Sequence, residues 1–432
     1  MSKSPWPMRS IGDLFHISAG KTMSAKAREG IERTPFLRTS NVLWDEVDLS
    51  TVDEMSISES ELKEKSLKDG DLLVCEGGDI GRAAVWMGQR KVMSFQNHIH
   101  RLRPKTNLTC SRFYVYFLQC GFTQLGIYEG AGNKTTIPNL SRNRLAVLDV
   151  PFPSLAEQQS ITNSLAKVRQ GISTHSKAEG LAQELKAATM QQLFTIGLSG
   201  KAQKETEIGL IPLDWEVDHL GTHHAVVSGG TPSRGNPAFW IGGTIPWAKT
   251  TEVNYCVINQ TGEHITSEGL ANSAAKLLPA GTLLLAMYGQ GVTRGRVAIL
   301  GIEATCNQAC AAITPKDDTV SPKFLYHFLA WRYEAIRELA HGGQQQNLNL
   351  DIVRDLNIAY PLDPSEQREI VEILDALDQK IMLHKKKKSV LDELFRSLLN
   401  KLMTGELSVD DLDLSALAPD ETQPQTEAEV QS

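Results

Sequence analysis

The feature that most constrains this chain is an internal repeat at an offset close to 210 residues. Trp6-x5-Gly12 recurs as Trp215-x5-Gly221, and Gly20-Lys21-Thr22 as Gly229-Gly230-Thr231. Pro35-Phe36-Leu37-Arg38-Thr39-Ser40 aligns with Pro246-Trp247-Ala248-Lys249-Thr250-Thr251, and Gly70-Asp71-Leu72-Leu73-Val74 with Gly281-Thr282-Leu283-Leu284-Leu285. After a three-residue insertion, Gly81-Arg82-Ala83-Ala84-Val85 meets Gly295-Arg296-Val297-Ala298-Ile299. Gln96-Asn97 sits where Asn307-Gln308 sits, and Phe113-x3-Phe117-Leu118 matches Phe324-x3-Phe328-Leu329. Segments agreeing in the same order make the chain two copies of one unit, roughly 1–200 and 210–405.

Each copy opens with about 150 residues of short apolar runs, Gly and Pro punctuation and one aromatic helical stretch, which reads as an α+β globule. A long helical pattern follows. Ser154-Leu155-Ala156-Glu157 and Asp363-Pro364-Ser365-Glu366 are capping boxes 209 residues apart, and Gly197 and Gly405 lie where the helices stop.

In the second helix a heptad seam runs Ile370, Leu374, Leu377, Ile381, His384, Lys388, Leu391, Phe395, Leu398, Leu402. The matching positions of the first are Ile161, Leu165, Val168, Ile172, His175, Glu179, Ala182, Lys186, Thr189 and Leu193. That seam weakens in its last third, where Leu181, Leu185 and Ala188 suggest a shifted stripe.

A helix of this kind, roughly 60 Å long, cannot bury its stripe on a small globule alone. The two helices pair most simply with each other, antiparallel, about a pseudo-twofold axis relating the repeats. Full overlap sets Ile161 against Leu402 and Leu193 against Ile370, with a polar layer of Glu179 opposite His384 and His175 opposite Lys388. The alternative for that layer is a splayed, solvated crossing.

The expected architecture is therefore α+β: two tandem-repeat α/β globules (1–153 and 213–362), a central helix (154–196), a linker (197–212), a C-terminal helix (363–404) and an acidic, disordered tail (405–432). The formal charge of −7 is a property of that tail, because residues 406–432 hold eight acids and no Lys or Arg. The rest is near neutral, so a basic face for nucleic acid must come from arrangement. The six cysteines form no pair of CxxC motifs and too few bridges for a disulfide framework, which fits reduced thiols in a cytoplasmic protein. No apolar run of membrane-spanning length and no secretory signal is expected.

With these motifs in view, the chain resembles the specificity subunits of type I restriction-modification enzymes. The resemblance covers about residues 6–405 and rests on Gly229-Gly230-Thr231-Pro232-Ser233, Ile245-Pro246-Trp247 and Gly281-Thr282-Leu283-Leu284. It rests most on the helix starts Pro151-Phe152-Pro153-x3-Glu157-Gln158-Gln159-x-Ile161 and Pro361-x4-Glu366-Gln367-x2-Ile370.

It implies that each globule is a target-recognition domain reading one half of a split DNA sequence. The helices then set the gap and dock two modification subunits, which bring S-adenosylmethionine and methylate adenine. Restriction subunits, with ATP and magnesium, join that core. This chain would bind double-stranded DNA, carry no catalysis and hold no cofactor or metal of its own.

Other motifs compete. Asn236-Pro237-Ala238-Phe239 is similar to an adenine-methyltransferase loop, but its third residue is Ala and the other repeat lacks it, so a turn is the better reading. Gly20-Lys21-Thr22 would need a glycine where Phe15 stands to be a P-loop. Cys306 and Cys310 read as packing before metal binding. Lys385–Lys388 read as a solvated face before a phosphate or partner contact. An enzyme acting alone and a coiled-coil scaffold without DNA readout stay open as alternatives.

Base and phosphate contacts call for Arg, Lys, Asn, Gln and small hydroxyls. The candidates are Lys21, Arg38, Asn41, Arg82, Asn97, Lys134, Thr135 and Arg142 in the first globule. In the second they are Ser233, Arg234, Lys249, Arg294, Arg296, Gln344, Gln345, Gln346 and Asn347. The polar loops Gly132–Thr136 and Gly343–Asn347 occupy the same place in the repeat but differ in chemistry. Arg82 and Arg296 are alike enough in context to hold structure instead.

Overall fold

The structure, a computed structural model, describes residues 5–31, 33–126, 140–289, 292–339 and 347–413. The chain divides into two compact units, residues 1–176 with 386–432 and residues 177–385. Each unit holds one globule and part of both long helices, Leu155–Ile196 and Pro364–Thr404.

In the first unit an antiparallel sheet runs Phe15–Ala19, Ile99–Pro104, Leu72–Cys75, Ala83–Val85. The apolar run Leu72–Cys75 is buried throughout, as expected for a strand covered on both faces. A second sheet sets Arg33–Leu37 between Asp53–Ser56, antiparallel, and Ser94–Phe95, parallel. Helix Ser111–Cys120 buries its aromatic stretch in the core that also takes Ile161, Leu165 and Val168 of the central helix and Leu391, Phe395, Leu398 and Leu402 of the C-terminal helix.

The second unit repeats the plan. Its larger sheet runs His224–Ser228, Cys310–Pro315, Leu283–Ala286, Val297–Leu300, Val257–Ile258. Ile245–Ala248 lies between Glu263–Ile265, antiparallel, and Thr305–Cys306, parallel. Helix Pro322–Trp331 replaces Ser111–Cys120, and Phe194, Ile370 and Leu374 of the long helices join the core.

Helix register can be read inside each unit. In the second, Lys186 Nζ donates to both carboxylate oxygens of Asp378 at 2.6 Å. In the first, a Cβ placed on Gly171 would come within 3.2 Å of Leu391 Cδ1. Both contacts fit the expected antiparallel overlap to within one residue, which sets Glu179 level with His384 and His175 level with Lys388. All four of these residues are half-buried, whereas Lys385, Lys386 and Lys387 are exposed.

The shifted stripe does not form. Leu181 and Leu185 are 65% and 53% exposed and Ala188 is exposed too. The seam instead continues through Ala182, Lys186, Thr189 and Leu193. Lys186 is tolerated there because its stem packs while its ammonium reaches Asp378.

Three local expectations are modified. The linker folds in part, with Gln203–Thr206 pairing antiparallel with Gly209–Pro212. Within the acidic tail, the described residues 405–413 fold back, with Leu407, Val409 and Leu412 packed on the first unit's core; an average over acidic residues hides three apolar ones. The capping boxes close on one side only. Ser154 Oγ accepts the Glu157 amide at 3.2 Å, but the Glu157 carboxylate accepts Trp6 Nε1 at 2.9 Å instead of turning back to the cap. Among the described residues no helix is long and apolar enough to cross a membrane.

Candidate nucleic-acid interface

The best-matched polar cluster of each globule forms where strands from its two sheets end side by side. Gly20 and Gly229 directly follow the first strand of the larger sheet and open the step after it. A Cβ there would lie 2.1 Å from Phe95 O and 2.2 Å from Cys306 O, so only glycine fits. The step presses the backbone onto the Gln96-Asn97 and Asn307-Gln308 turns. The Lys21 amide donates to Phe95 O at 2.8 Å and the Asn97 amide to Lys21 O at 3.0 Å. Thr231 Oγ1 is hydrogen-bonded to Gln308.

Beside this step each repeat places a cation on a carboxylate, at matching positions but with different residues. Arg38 meets Asp53 at 2.6 Å, and Lys249 meets Glu263 at 2.7 Å. Lys21 adds a contact to Glu61 at 2.5 Å in the first repeat. In the second, Arg234 bonds Glu263 and stacks over Trp240 at 3.8 Å and Trp247 at 4.7 Å, both to ring centroids. Hydrogen bonds from Lys21 hold Glu61, and from Arg234 and Lys249 hold Glu263, below the usual carboxylate range. Neutralised, orientated cations of this kind suit base-edge readout more than bulk phosphate attraction. Arg234, half exposed with its plane fixed by two indoles, is the best pre-orientated of them.

Several sequence candidates take other places. Asn41 is buried and structural: its Oδ1 accepts the Arg38 amide at 2.8 Å and its Nδ2 donates to Asp48 O and Thr51 O at 2.9 and 2.7 Å. Glu252 plays the same part in the second repeat, accepting the Lys249 amide at 2.7 Å. Asn41→Ala is expected to cost about 2 kcal/mol of stability without changing the sequence recognised; selection of bound duplexes by the variant checks this.

Arg82 turns inward to Thr39 O at 2.7 Å and Asp79 at 2.6 Å, and Arg296 bonds Asn254 Oδ1 at 2.7 Å over the Tyr255 ring. Both follow glycines at φ +79° and +87°, and both read as structural. Asn97 and Arg294 are half-buried, whereas Ser233, Arg142 and Asn347 are exposed. Lys134, Thr135, Gln344, Gln345 and Gln346 lie outside the described residues. Asn236 caps the turn Pro237–Phe239 through the Ala238 amide at 3.1 Å, as an ordinary turn would.

Sequence reasoning missed Asp53, Glu61, Glu263 and Trp240. The acids are distant along the chain from their cations. Trp240, six residues after Arg234, was a visible platform for a cation. Cys75, Cys120, Cys306 and Cys310 are buried, and burial pushes the thiols of Cys75 and Cys120 up to about 11 and about 12. His327, Asp375 and Asp378 bring possible ligand atoms within 4.8 Å of one another. Lys323 and Lys186 already sit on the two carboxylates at 2.7 and 2.6 Å, so the donor set reads as an ion-pair network.

The family model described as the type I restriction modification DNA specificity domain matches residues 3–185 and again 212–393. The chain belongs to this specificity family. A putative type I restriction enzyme MjaX specificity subunit of Methanocaldococcus jannaschii is 23% identical over 419 residues, 94% of each chain. The EcoR124I/EcoR124II specificity subunit of Escherichia coli is 28% identical over 283 residues, 63% of this chain and 64% of that one. The fold is that of the S subunit from M. genitalium, with TM-score 0.61 at 17% identity over 93% of this chain and 97% of the other. A second structure, from work on assembly and conformational transition of the type I R-M system, gives TM-score 0.57 at 15% identity over 94% and 100%. The two family matches divide the specificity chain as its internal repeat does.

Proposed function

We propose that this specificity chain reads a split, gapped DNA sequence, one half through each globule, and carries no catalytic step itself. The observation that supports this is the duplicated strand-end cluster: one scaffold presents Lys21 and Arg38 with Asp53 and Glu61 in one copy, and Arg234 and Lys249 with Glu263 and two indoles in the other. Matched frames with unlike polar groups suit two readers of unlike sequences. The long helices hold the readers and dock two modification subunits; restriction subunits join that complex. S-adenosylmethionine belongs to the modification subunits, ATP and magnesium to the restriction subunits, and none to this chain.

Selection from random duplexes by the chain in complex with modification subunits is expected to yield two short fixed blocks at constant separation. Arg234→Ala should weaken discrimination at one block by about 10–100-fold and leave the other unchanged. Loss spread evenly over both blocks would remove Arg234 from base readout.

Leu181, Leu185, Met382 and Leu383 are at least half exposed on the long helices of the second unit. They are apolar enough to carry a partner contact. The double change Leu181→Ser, Leu185→Ser is expected to weaken modification-subunit binding about tenfold or more while leaving helix content unchanged. Titration calorimetry with circular dichroism reads both.

A further inference from the structure

The Glu-Gln pair at the start of each long helix does more than begin the helix. Gln158 is fully buried. Its Oε1 accepts the Cys110 amide at 2.8 Å, and its Nε2 donates to Leu108 O at 3.2 Å and Pro153 O at 2.9 Å. Gln367 makes the same three kinds of bond in the second unit, the last of them one residue further back along the chain. Its Oε1 accepts the Ser321 amide at 3.0 Å, and its Nε2 donates to Thr319 O at 2.7 Å and Pro361 O at 3.0 Å. The preceding glutamates accept from the tryptophans that open each repeat, Glu157 from Trp6 Nε1 at 2.9 Å and Glu366 from Trp215 Nε1 at 3.3 Å.

In each unit, therefore, the spacer helix is tied at its first turn to three separate parts of its globule: the tryptophan that opens the repeat, the loop ahead of the aromatic helix, and the segment leading into the spacer. Three non-collinear ties fix an orientation, where one would leave a swivel. Each glutamine is buried with both amide donors and its oxygen engaged in the joint, which keeps it from DNA or a partner.

We propose that Gln158 and Gln367 are positioning residues that set the angle of each reader on its spacer helix, and thereby make recognition strict in gap length. This rests on the split-site reading above. It assigns gap strictness to the two joints in addition to the helices between them.

The test uses the full chain co-expressed with modification subunits. Methylation is measured on duplexes carrying the wild-type target with its native gap and with one base pair more or fewer. Gln158→Met and Gln367→Met keep side-chain volume and remove the bonds. Each is expected to lower the ratio of native-gap to altered-gap methylation about tenfold, with a smaller loss at the native gap, and the double variant to lower it further. Hydrogen exchange at the Cys110 and Ser321 amides should accelerate in the matching variant, which shows that the joint has opened in a chain that is still folded. Proportional loss at all gaps, or an unchanged ratio with accelerated exchange, overturns the proposal. A wild-type complex that shows no split target would instead overturn the reading beneath it.

Discussion

Asp45→Ala is expected to cost the first unit about 3 kcal/mol from its ion-pair cluster and roughly 1–2 kcal/mol more from its backbone. The Asp45 side chain is 2% exposed. It takes Arg112 Nε and Nη2 at 2.8 and 2.7 Å and Tyr116 Oη at 2.6 Å, with Arg169 Nη1 at 3.5 Å. Removing the carboxylate leaves two guanidinium groups and a buried hydroxyl facing one another. Arg112 is 41% exposed, which places the cost at the lower end of the range for buried pairs. The backbone effect arises because Asp45 sits at φ +60°, which Asp, Asn and Gly adopt far more readily than Ala.

Comparison of Asp45→Gly with Asp45→Ala separates the two contributions. Glycine should recover the backbone part and none of the cluster. Denaturation followed by hydrogen exchange on first-unit peptides gives the reading, since a chain of two units does not unfold in one step. A loss under about 1 kcal/mol would mean that solvent screens the cluster.

The second repeat handles the same place differently. Tyr255 holds the matching left-handed position at φ +52°, edge-on to Tyr333 at 5.9 Å. The acids move to the spacer helix. Asp375 takes Lys323 at 2.7 Å and His327 at 2.9 Å, and Asp378 takes Lys186. In the first unit the spacer instead supplies a cation, Arg169, to a globule acid. The seats of the two globules are thus keyed with opposite charge.

His224→Phe should stabilise the second unit below pH 6.5. His224 is 1% exposed, and its two buried ring nitrogens meet no hydrogen-bond partner of ordinary geometry. Burial drives its pKa down to about 4, with His223 and Lys316 pressing the same way and Asp317 and the Val320 backbone opposing. The folded state therefore prefers the neutral ring. Stability is complete above pH 6.5 and falls as pH drops from there to about 4, by about 3 kcal/mol in all.

The first repeat has Phe15 at this position, 1% exposed and edge-on to Tyr114 at 5.3 Å, so the scaffold accepts the ring. The variant should match wild type to within about 1.5 kcal/mol at pH 7 and exceed it by about 2 kcal/mol near pH 5. Asp375, held at about 2 first of all by its hydrogen bond to His327, acts in a separate window: its contribution is present above pH 4 and fades as pH falls towards 2. A variant whose advantage does not grow between pH 7 and 5 would show that His224 accepts a proton without penalty.

What could be read in advance follows from which interactions are local. Helix ends, heptad period and turn glycines are written within a few residues, and the repeat offset let each copy check the other. The same offset exposed the Glu157-Gln158 and Glu366-Gln367 pairs as motifs, but not their targets, which lie about 50 and 150 residues away. Leu181 and Leu185 misled because an outward apolar residue has the same sequence character as a buried one. Asn41 misled because the polar side chain that suits a base edge also suits a backbone cap. The acids holding Arg38 and Arg234 come from paired strands and the one holding Lys21 from the helix Glu59–Lys65, and no local pattern announces them.

Methyl-adenine mapping across a host genome, with this chain present and deleted, tests the central claim most directly. Methylation should disappear at one gapped, two-part motif and persist elsewhere. A target that lacks a second block, or a methylome unchanged by deletion while the modification subunits and this chain are all expressed, would contradict it.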